Sequence, residues 1–442
     1  AVSVKNVLSI QKNYSRMNHD TASSVQPVFH LSKTRKNVIV IMQDMCLSPV
    51  IHEVFQESQE MRKSYEGFTF YPNTVSMSYY TQLGVPGVFG GYDFTPWEIN
   101  RRTDHTIQRK HNEAVLTMPT VFSRSGYEVT VSDIPYENYG EEPVQTMYKS
   151  IPSLRREVTK GVYTDIWYGR HDIKPYPILT MLLKRNFLYM SIFKTVMPVF
   201  RPMVYHREWW IVDNDRMQDR RFMDCYAPLS MMSELTSSDA DKSQFLLLDN
   251  EVTHEPIFLQ APDYVPVQNV TDKGTSPYRD TTTYHGVACA IHRWSDFFEY
   301  LKKEGCYDNT RIIIVSDHGC GCDTGKFPVN AMNQPFMKEQ VTATLLVKDF
   351  GAHGEIKEDM TFMTNADTPS IAVKGIAEDT VNPFTKNPLE VKNKSDYVKI
   401  AFAPMENLRI RDNTKFTVHD DQWYTVHDDI FDDKNWSRVK GK

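Results

Sequence analysis

Apolar positions along this chain follow two rhythms. Short uninterrupted runs, bounded by turn-forming residues, read as strands buried on both faces. Residues 37–42 are one such run, ending in Gln43-Asp44. Residues 245–248 are a second, followed by Asp249-Asn250-Glu251-Val252-Thr253-His254. Residues 312–315 are a third; they open after Asp308-Asn309-Thr310 and run straight into Ser316-Asp317-His318-Gly319. Residues 119–132 read as a helix and then a strand at 127–131, and 341–347 as a further strand. The second rhythm is helical. Val287, Ile291, Trp294, Phe298 and Leu301 recur along one face of 284–303, and Gly305 ends that helix as a C-terminal cap. Asp367-Thr368-Pro369 opens another helix with a capping side chain and an early proline.

Strands alternating with helices predict an α/β fold, a central, mostly parallel sheet sandwiched by helices. Residues 1–35 read as an N-terminal tether, 36–385 as the main domain, and 386–442 as a small β-rich extension packed on it. Strands are expected in the extension at 398–402, 415–418 and 423–426. There Thr417-Val418-His419-Asp420-Asp421 recurs as Thr425-Val426-His427-Asp428-Asp429; the repeat reads as the polar face of a hairpin rather than as a metal site. Residues 175–205 are rich in Leu, Met, Ile and Phe but carry Lys184, Arg185, Lys194 and Arg201. Four charges exclude a membrane-spanning helix. The segment is expected to form one or two core-facing helices; the alternative is a basic amphipathic surface lying on a membrane.

Composition changes this picture little. The 442 residues are 40% hydrophobic and 24% charged, which is ordinary for a globular chain. The net charge of -6 comes without a basic stripe interleaved with aromatics, so nucleic acid is not an expected partner. The six cysteines include no C-x-x-C pair, which removes the zinc-finger and thioredoxin readings. Cys320 and Cys322 are expected to be buried or paired thiols rather than ligands.

The candidate chemistry gathers at strand ends. Asp44 and Asp317 each follow an apolar strand, and in a parallel sheet both would stand on the carboxyl edge, where α/β folds place their ligands. Asp, Asp and the adjacent His318 are ordinary ligands for one divalent cation. Tyr80-Thr81-Gln82-Leu83-Gly84-Val85-Pro86-Gly87-Val88-Phe89 places a hydroxyl at the start of a small-residue helix. There the free amides and the helix dipole favour a phosphate, and a nearby metal would make the hydroxyl nucleophilic.

On these residues the chain resembles the alkaline phosphatase/sulfatase superfamily, in particular its membrane-bound phosphoglycerol transferases of the lipoteichoic acid synthase type and its phosphoethanolamine transferases. Residues 37–42 with Asp44 resemble the family's first ligand strand. Thr81–Phe89 is similar to the segment around the nucleophilic Thr. Thr253-His254-Glu255-Pro256 resembles the segment whose His meets the substrate head group. Tyr307-Asp308-Asn309-Thr310 leading to Asp317-His318-Gly319, and Asn365-Ala366-Asp367-Thr368-Pro369, match in the family's order. The resemblance implies that residues 36–385 are a sulfatase-like catalytic domain. It implies that Asp44, Thr81, Asp317 and His318 hold one divalent metal, Mn2+ or Zn2+, that Thr81 is the nucleophile, and that His254 acts at the substrate oxygens. It further implies a phosphoryl-Thr intermediate, a membrane phospholipid as donor and a glycan or polymer as acceptor. The membrane anchor would lie in a segment outside this chain, with the catalytic domain at the outer face of the bacterial cytoplasmic membrane, extracellular or periplasmic. Trp97 and Arg101, downstream of Thr81, are expected to line the head-group site.

Departures from the family pattern sharpen the choice. The first ligand is Asp44 where these transferases usually carry Glu. No His follows Asp317-His318-Gly319 within residues 320–326, which leaves phosphoglycerol ahead of phosphoethanolamine. Cys46-Leu47-Ser48-Pro49 lacks the spacing that a sulfatase needs for its formylglycine. A phosphodiesterase or phosphatase of the same superfamily, and a degenerate domain that only binds an anion, remain open.

Overall fold

A computed structural model describes residues 25–140, 145–151, 153–171, 178–206, 209–210, 215–254, 259–267, 269–320, 338–376, 380–390, 397–403 and 410–439. The chain divides into two compact units. The larger spans Pro27–Thr159 and Leu229–Lys442, and the smaller is built on Lys160–Pro228.

The larger unit is organised by an eight-stranded sheet. Its strands in chain order are β1 (Asn37–Gln43), β2 (Phe68–Phe70), β3 (Glu128–Ser132), β4 (Leu154–Glu157), β5 (Gln244–Asn250), β6 (Thr310–Val315), β7 (Leu345–Lys348) and β8 (Lys357–Glu358). They lie side by side as β8-β2-β7-β6-β1-β5-β3-β4. Only β7 runs against the rest, pairing antiparallel with both β6 and β2. Every residue of β1 and β6 is buried, which is why these strands read as unbroken apolar runs.

Successive side chains on a strand point to opposite faces. Val38, Val40 and Met42 of β1 accordingly share one cluster with Val85, Val88 and Phe89 of helix α2 (Thr81–Gly90) and Val115, Met118 and Phe122 of α4 (Ile107–Arg124). Phe122 stacks on Phe245 of β5 with centroids 4.0 Å apart. On the other side of the chain's core, Tyr65, Phe68 and Phe298 meet ring to ring at 5.1–5.2 Å. Phe298 belongs to α7 (Thr282–Glu304), where Thr281 caps the start and Gly305 ends it at φ 74. Truncating one such buried side chain to Ala costs about 2–5 kcal/mol.

Some boundaries differ from those read in the sequence. α4 begins at Ile107, not near residue 119, because Thr106 caps it by accepting from Arg109 N. Its first turns are polar and so carry no apolar period. Residues 341–344 precede β7 rather than belonging to it. In the extension the antiparallel sheet is Val398–Ala401, Trp423–Val426 and Trp436–Arg438. Residues 415–418 are not a strand; the third strand uses Trp436, whose indole is buried and donates to Ile430 O. Tyr424 and Val426 pack with Val75 and Met77, so the extension shares a core with the sheet domain. Residues 1–24 of the expected tether lie outside the described residues, while Phe29–His30 pairs with Thr236–Ser237 and Leu31 is buried.

In the smaller unit, Arg220 joins Asp165 (2.6 Å) and Asp224 (2.9 Å), and Trp167 stacks on His171. Residues 175–205 depart from the core-facing expectation. Helices α5 (Ile178–Thr195) and α6 (Arg201–Val204) form, but most apolar side chains from 187 to 203 whose burial is described face solvent. Among the described residues no helix is long and apolar enough to cross a membrane.

Candidate metal centre and active site

Register places the acidic residues. β6, β1 and β5 are neighbours and parallel, with Val315, Met42 and Asp249 side by side. Two residues further on, past the last pairing of β6 with β1, come Asp317, Asp44 and Glu251. Three strands thus deliver carboxylates to one edge at one level. The chain turns sharply after Asp44, with Met45 in the left-handed region at φ 56. Asp44 N donates to Asn250 O (3.0 Å), and the Thr253 hydroxyl donates to the Asp44 carbonyl. Gln43 stitches the same turn to β5 through Asn250 O (2.8 Å), while the Trp294 indole holds its other end (2.8 Å).

Asp317 is fully buried, and its Oδ1 accepts from Met45 N (3.2 Å) and His318 N (2.9 Å). His318 Nδ1 lies 2.6 Å from Gly319 O. A carbonyl only accepts, so Nδ1 carries a proton, which leaves Nε2 as the nitrogen available to a metal. That Nε2 stands 3.3 Å from Thr81 Oγ1, 3.4 Å from Asp317 Oδ2 and 3.7 Å from Asp44 Oδ1. One ligand atom from each of Asp44, Asp317 and His318 fits within 4.8 Å of the others.

Thr81 is the first residue of α2, and no side chain caps that helix. Leu83 N donates back to Tyr80 O (3.0 Å), which leaves the amides of Thr81 and Gln82 as the donors an anion at this helix start would use. Gly84 lets the helix approach so closely: a Cβ there would lie 2.6 Å from Asp317 O. Gly319 is equally constrained, since its Cβ would fall 1.9 Å from Glu339 O. Asn365 holds the Asp317 carbonyl from the far side at 2.8 Å.

The electrostatics of this arrangement call for a cation. Asp44 Oδ1 and Asp317 Oδ2 are buried with no hydrogen-bond partner among the described residues. Burial pushes the Asp44 carboxyl well above its usual range, and the charges of Asp317, Asp249 and Glu251 push it further. Carboxylate oxygens of Asp44 and Asp317 with the His318 imidazole form a donor set that could hold one divalent cation, with the Thr81 hydroxyl beside it.

The structure thus brings Asp44, Thr81, Asp317 and His318 together. His254 sits half-buried on the turn after β5, its amide donating to Glu251 O (3.0 Å). Trp97, on α3 (Pro96–Arg101), packs edge-on against Trp423 (5.0 Å) beneath Lys399. Arg101 is exposed and paired with Glu98 at 3.1 Å. Cys320 is buried with its sulfur 3.2 Å from the Thr283 hydroxyl, and Cys322 lies outside the described residues. Asp249 and Glu251 were passed over in the sequence although they act on Asp44. The signal was present: an apolar run ending in acid, the same signature that marks Asp44 and Asp317.

The sulfatase family model matches residues 36–349, and the chain belongs to that family. Its superfamily comprises metal-dependent hydrolases and transferases, and this chain is an enzyme of that broad kind. No curated protein matches the chain in sequence. Among solved structures, Ps i-CgsB in complex with k-i-k-neocarrahexaose is 12% identical with a TM-score of 0.51, covering 84% of this chain and 80% of that one. The lipoteichoic acid synthase LtaP from Listeria monocytogenes is 8% identical (TM-score 0.45, 93% and 86% covered). The phosphonate monoester hydrolase of Agrobacterium radiobacter is 13% identical (TM-score 0.47, 89% and 86% covered). The first likeness is one of fold, and the other two are looser.

Proposed function

We propose that this protein transfers a phosphoglycerol group from a membrane phospholipid to a glycan or polymer acceptor, with Thr81 as the nucleophile. The observation that carries this reading is Thr81 Oγ1, 3.3 Å from His318 Nε2 at a helix start without a side-chain cap, beside two carboxylate oxygens that have no hydrogen-bond partner among the described residues. Asp44, Asp317, His318 and Thr81 would hold one divalent ion, which neutralises the phosphate and lowers the pKa of the hydroxyl. The bond from Thr81 Oγ to phosphorus forms as the bond to the diacylglycerol oxygen breaks; the hydroxyl gives up its proton, and the departing oxygen takes one up to leave as diacylglycerol. His254 binds or protonates the substrate oxygens. The acceptor hydroxyl then takes the phosphoglycerol group and frees Thr81. The first-turn amides of α2 stabilise the charge on the non-bridging oxygens. In this reading the reaction takes place at the outer face of the bacterial cytoplasmic membrane.

Intact-protein mass spectrometry tests this. The chain is incubated with phosphatidylglycerol or phosphatidylethanolamine, with Mn2+ or Zn2+ present. A phosphoglycerol adduct on Thr81 is the expected result. An ethanolamine adduct would change the head group, and free glycerol phosphate released without an acceptor would make the enzyme a phosphodiesterase. A fully active Thr81→Ala variant would sink the mechanism.

A further inference from the structure

Residues 187–203 carry an apolar surface that the smaller unit does not cover. Leu188 (59% exposed) and Met190 lie on α5, Met197 (63%), Val199 (73%) and Phe200 on the turn after it, and Met203 (68%) on α6. The two helices pack on one another, and the Arg201 guanidinium sits 5.3 Å over the Phe193 ring, folding the segment back on itself. Soluble domains seldom leave so many large apolar side chains in water without a partner.

Charge identifies the partner. From residue 173 to 207 the sequence contains Lys174, Lys184, Arg185, Lys194, Arg201 and Arg207 and no Asp or Glu, within a chain whose net charge is -6. Lys194 is exposed beside the apolar residues. An exposed apolar surface in a stretch of sequence whose charges are all basic, with Lys194 exposed on it, has the chemistry of an interfacial helix, with apolar side chains in the acyl boundary and Lys or Arg at the headgroups.

We propose that residues 187–203 dock the protein on an anionic lipid bilayer, lying on the membrane rather than spanning it. This goes beyond the transfer reaction, because it is read by binding and needs no turnover. The test is co-sedimentation of the 442-residue chain with phosphatidylcholine vesicles, with and without about a quarter phosphatidylglycerol. Binding to the anionic vesicles is expected, weakened by about 0.5 M NaCl, since screening acts on surface charge. Val199→Asp with Met203→Asp should lower vesicle affinity about tenfold or more, and Lys194→Glu by a smaller factor. These positions are exposed, so circular dichroism and metal uptake should stay at wild-type levels. Equal sedimentation of wild type and the double variant would overturn the proposal, as would absence of binding. So would light scattering that shows a dimer dissolved by Val199→Asp with Met203→Asp, which would assign the surface to a second copy of this chain.

Discussion

Two carboxylate sites in the larger unit contrast sharply. Glu57, at the end of helix α1 (Ser48–Glu57), is surrounded by donors. The hydroxyls of Tyr264 (2.5 Å) and Tyr284 donate to one oxygen, and the amides of Thr275 (2.6 Å) and Ser276 (3.1 Å) to the other. Burial alone would raise the Glu57 pKa, but the two tyrosines and two amides outweigh it and hold the carboxyl below its usual range. At the sheet edge the same chemistry is left unfinished. Asp44 and Asp317 keep oxygens without a hydrogen-bond partner among the described residues, and burial with neighbouring acids drives Asp44 the other way. A satisfied carboxylate supports the fold, whereas an unsatisfied pair stores a demand for a cation. The direction of the pKa shift separates the two roles.

The contrast can be broken by substitution. Thr81→Ala should lower turnover by about 10³-fold or more while leaving the melting temperature within about 2 °C of wild type. Retained turnover would show that the unfinished site does not use this hydroxyl. Glu57→Gln should do the reverse: a loss of about 1–3 kcal/mol in urea unfolding with turnover per folded molecule unchanged. If turnover fell and stability held, the roles of the two sites would be exchanged.

A buried neutral group gives the intermediate case. His111 is fully buried against Tyr139, neither ring nitrogen has a hydrogen-bond partner among the described residues, and burial pulls its pKa down to about 4. The unfolded imidazole binds a proton below its ordinary pKa of about 6.5 and the folded one does not, so stability is complete above that value and is lost as pH falls. Between pH 6.5 and 5 the loss is at most about 2 kcal/mol. Comparing denaturant midpoints of wild type and His111→Leu at the two pH values isolates it. Parallel pH profiles would contradict this account.

Smaller effects sharpen the comparison further. With chelator present, Asp44→Asn should stabilise the fold by about 1 kcal/mol by removing one buried charge. Added Mn2+ or Zn2+ should then raise the melting temperature of wild type but not of the variant; equal shifts would place the ion elsewhere. Arg101→Ala should change stability by less than about 0.5 kcal/mol, since an exposed pair with Glu98 contributes little. A rise in KM for that variant would be the sign that Arg101 reaches the head group.

Much of this was legible in the linear chain. Unbroken apolar runs ending in acid marked β1 and β6, and helical spacing marked α7 up to its Gly305 cap, while its Thr281 cap appears only in the structure. Local signals sufficed there because a strand buried on both faces leaves no polar position to confuse the pattern. The first turns of α4 and the strand at Trp436 were not legible. The former are polar, and the latter is ordered by a single indole packed into a core assembled from distant segments.

The sequence by itself determined most of the sheet and helix elements, the family and the residue types that could serve a metal. Tertiary structure decided which of them meet. Strand pairing set Asp44, Asp317 and Glu251 level on one edge, and the absence of a side chain at Gly84 let α2 bring Thr81 against His318. It also decided that the apolar residues of 284–303 are covered while those of 187–203 are not. Helical periodicity records which side chains share a face, but only the packing of the remaining chain determines whether another surface covers that face.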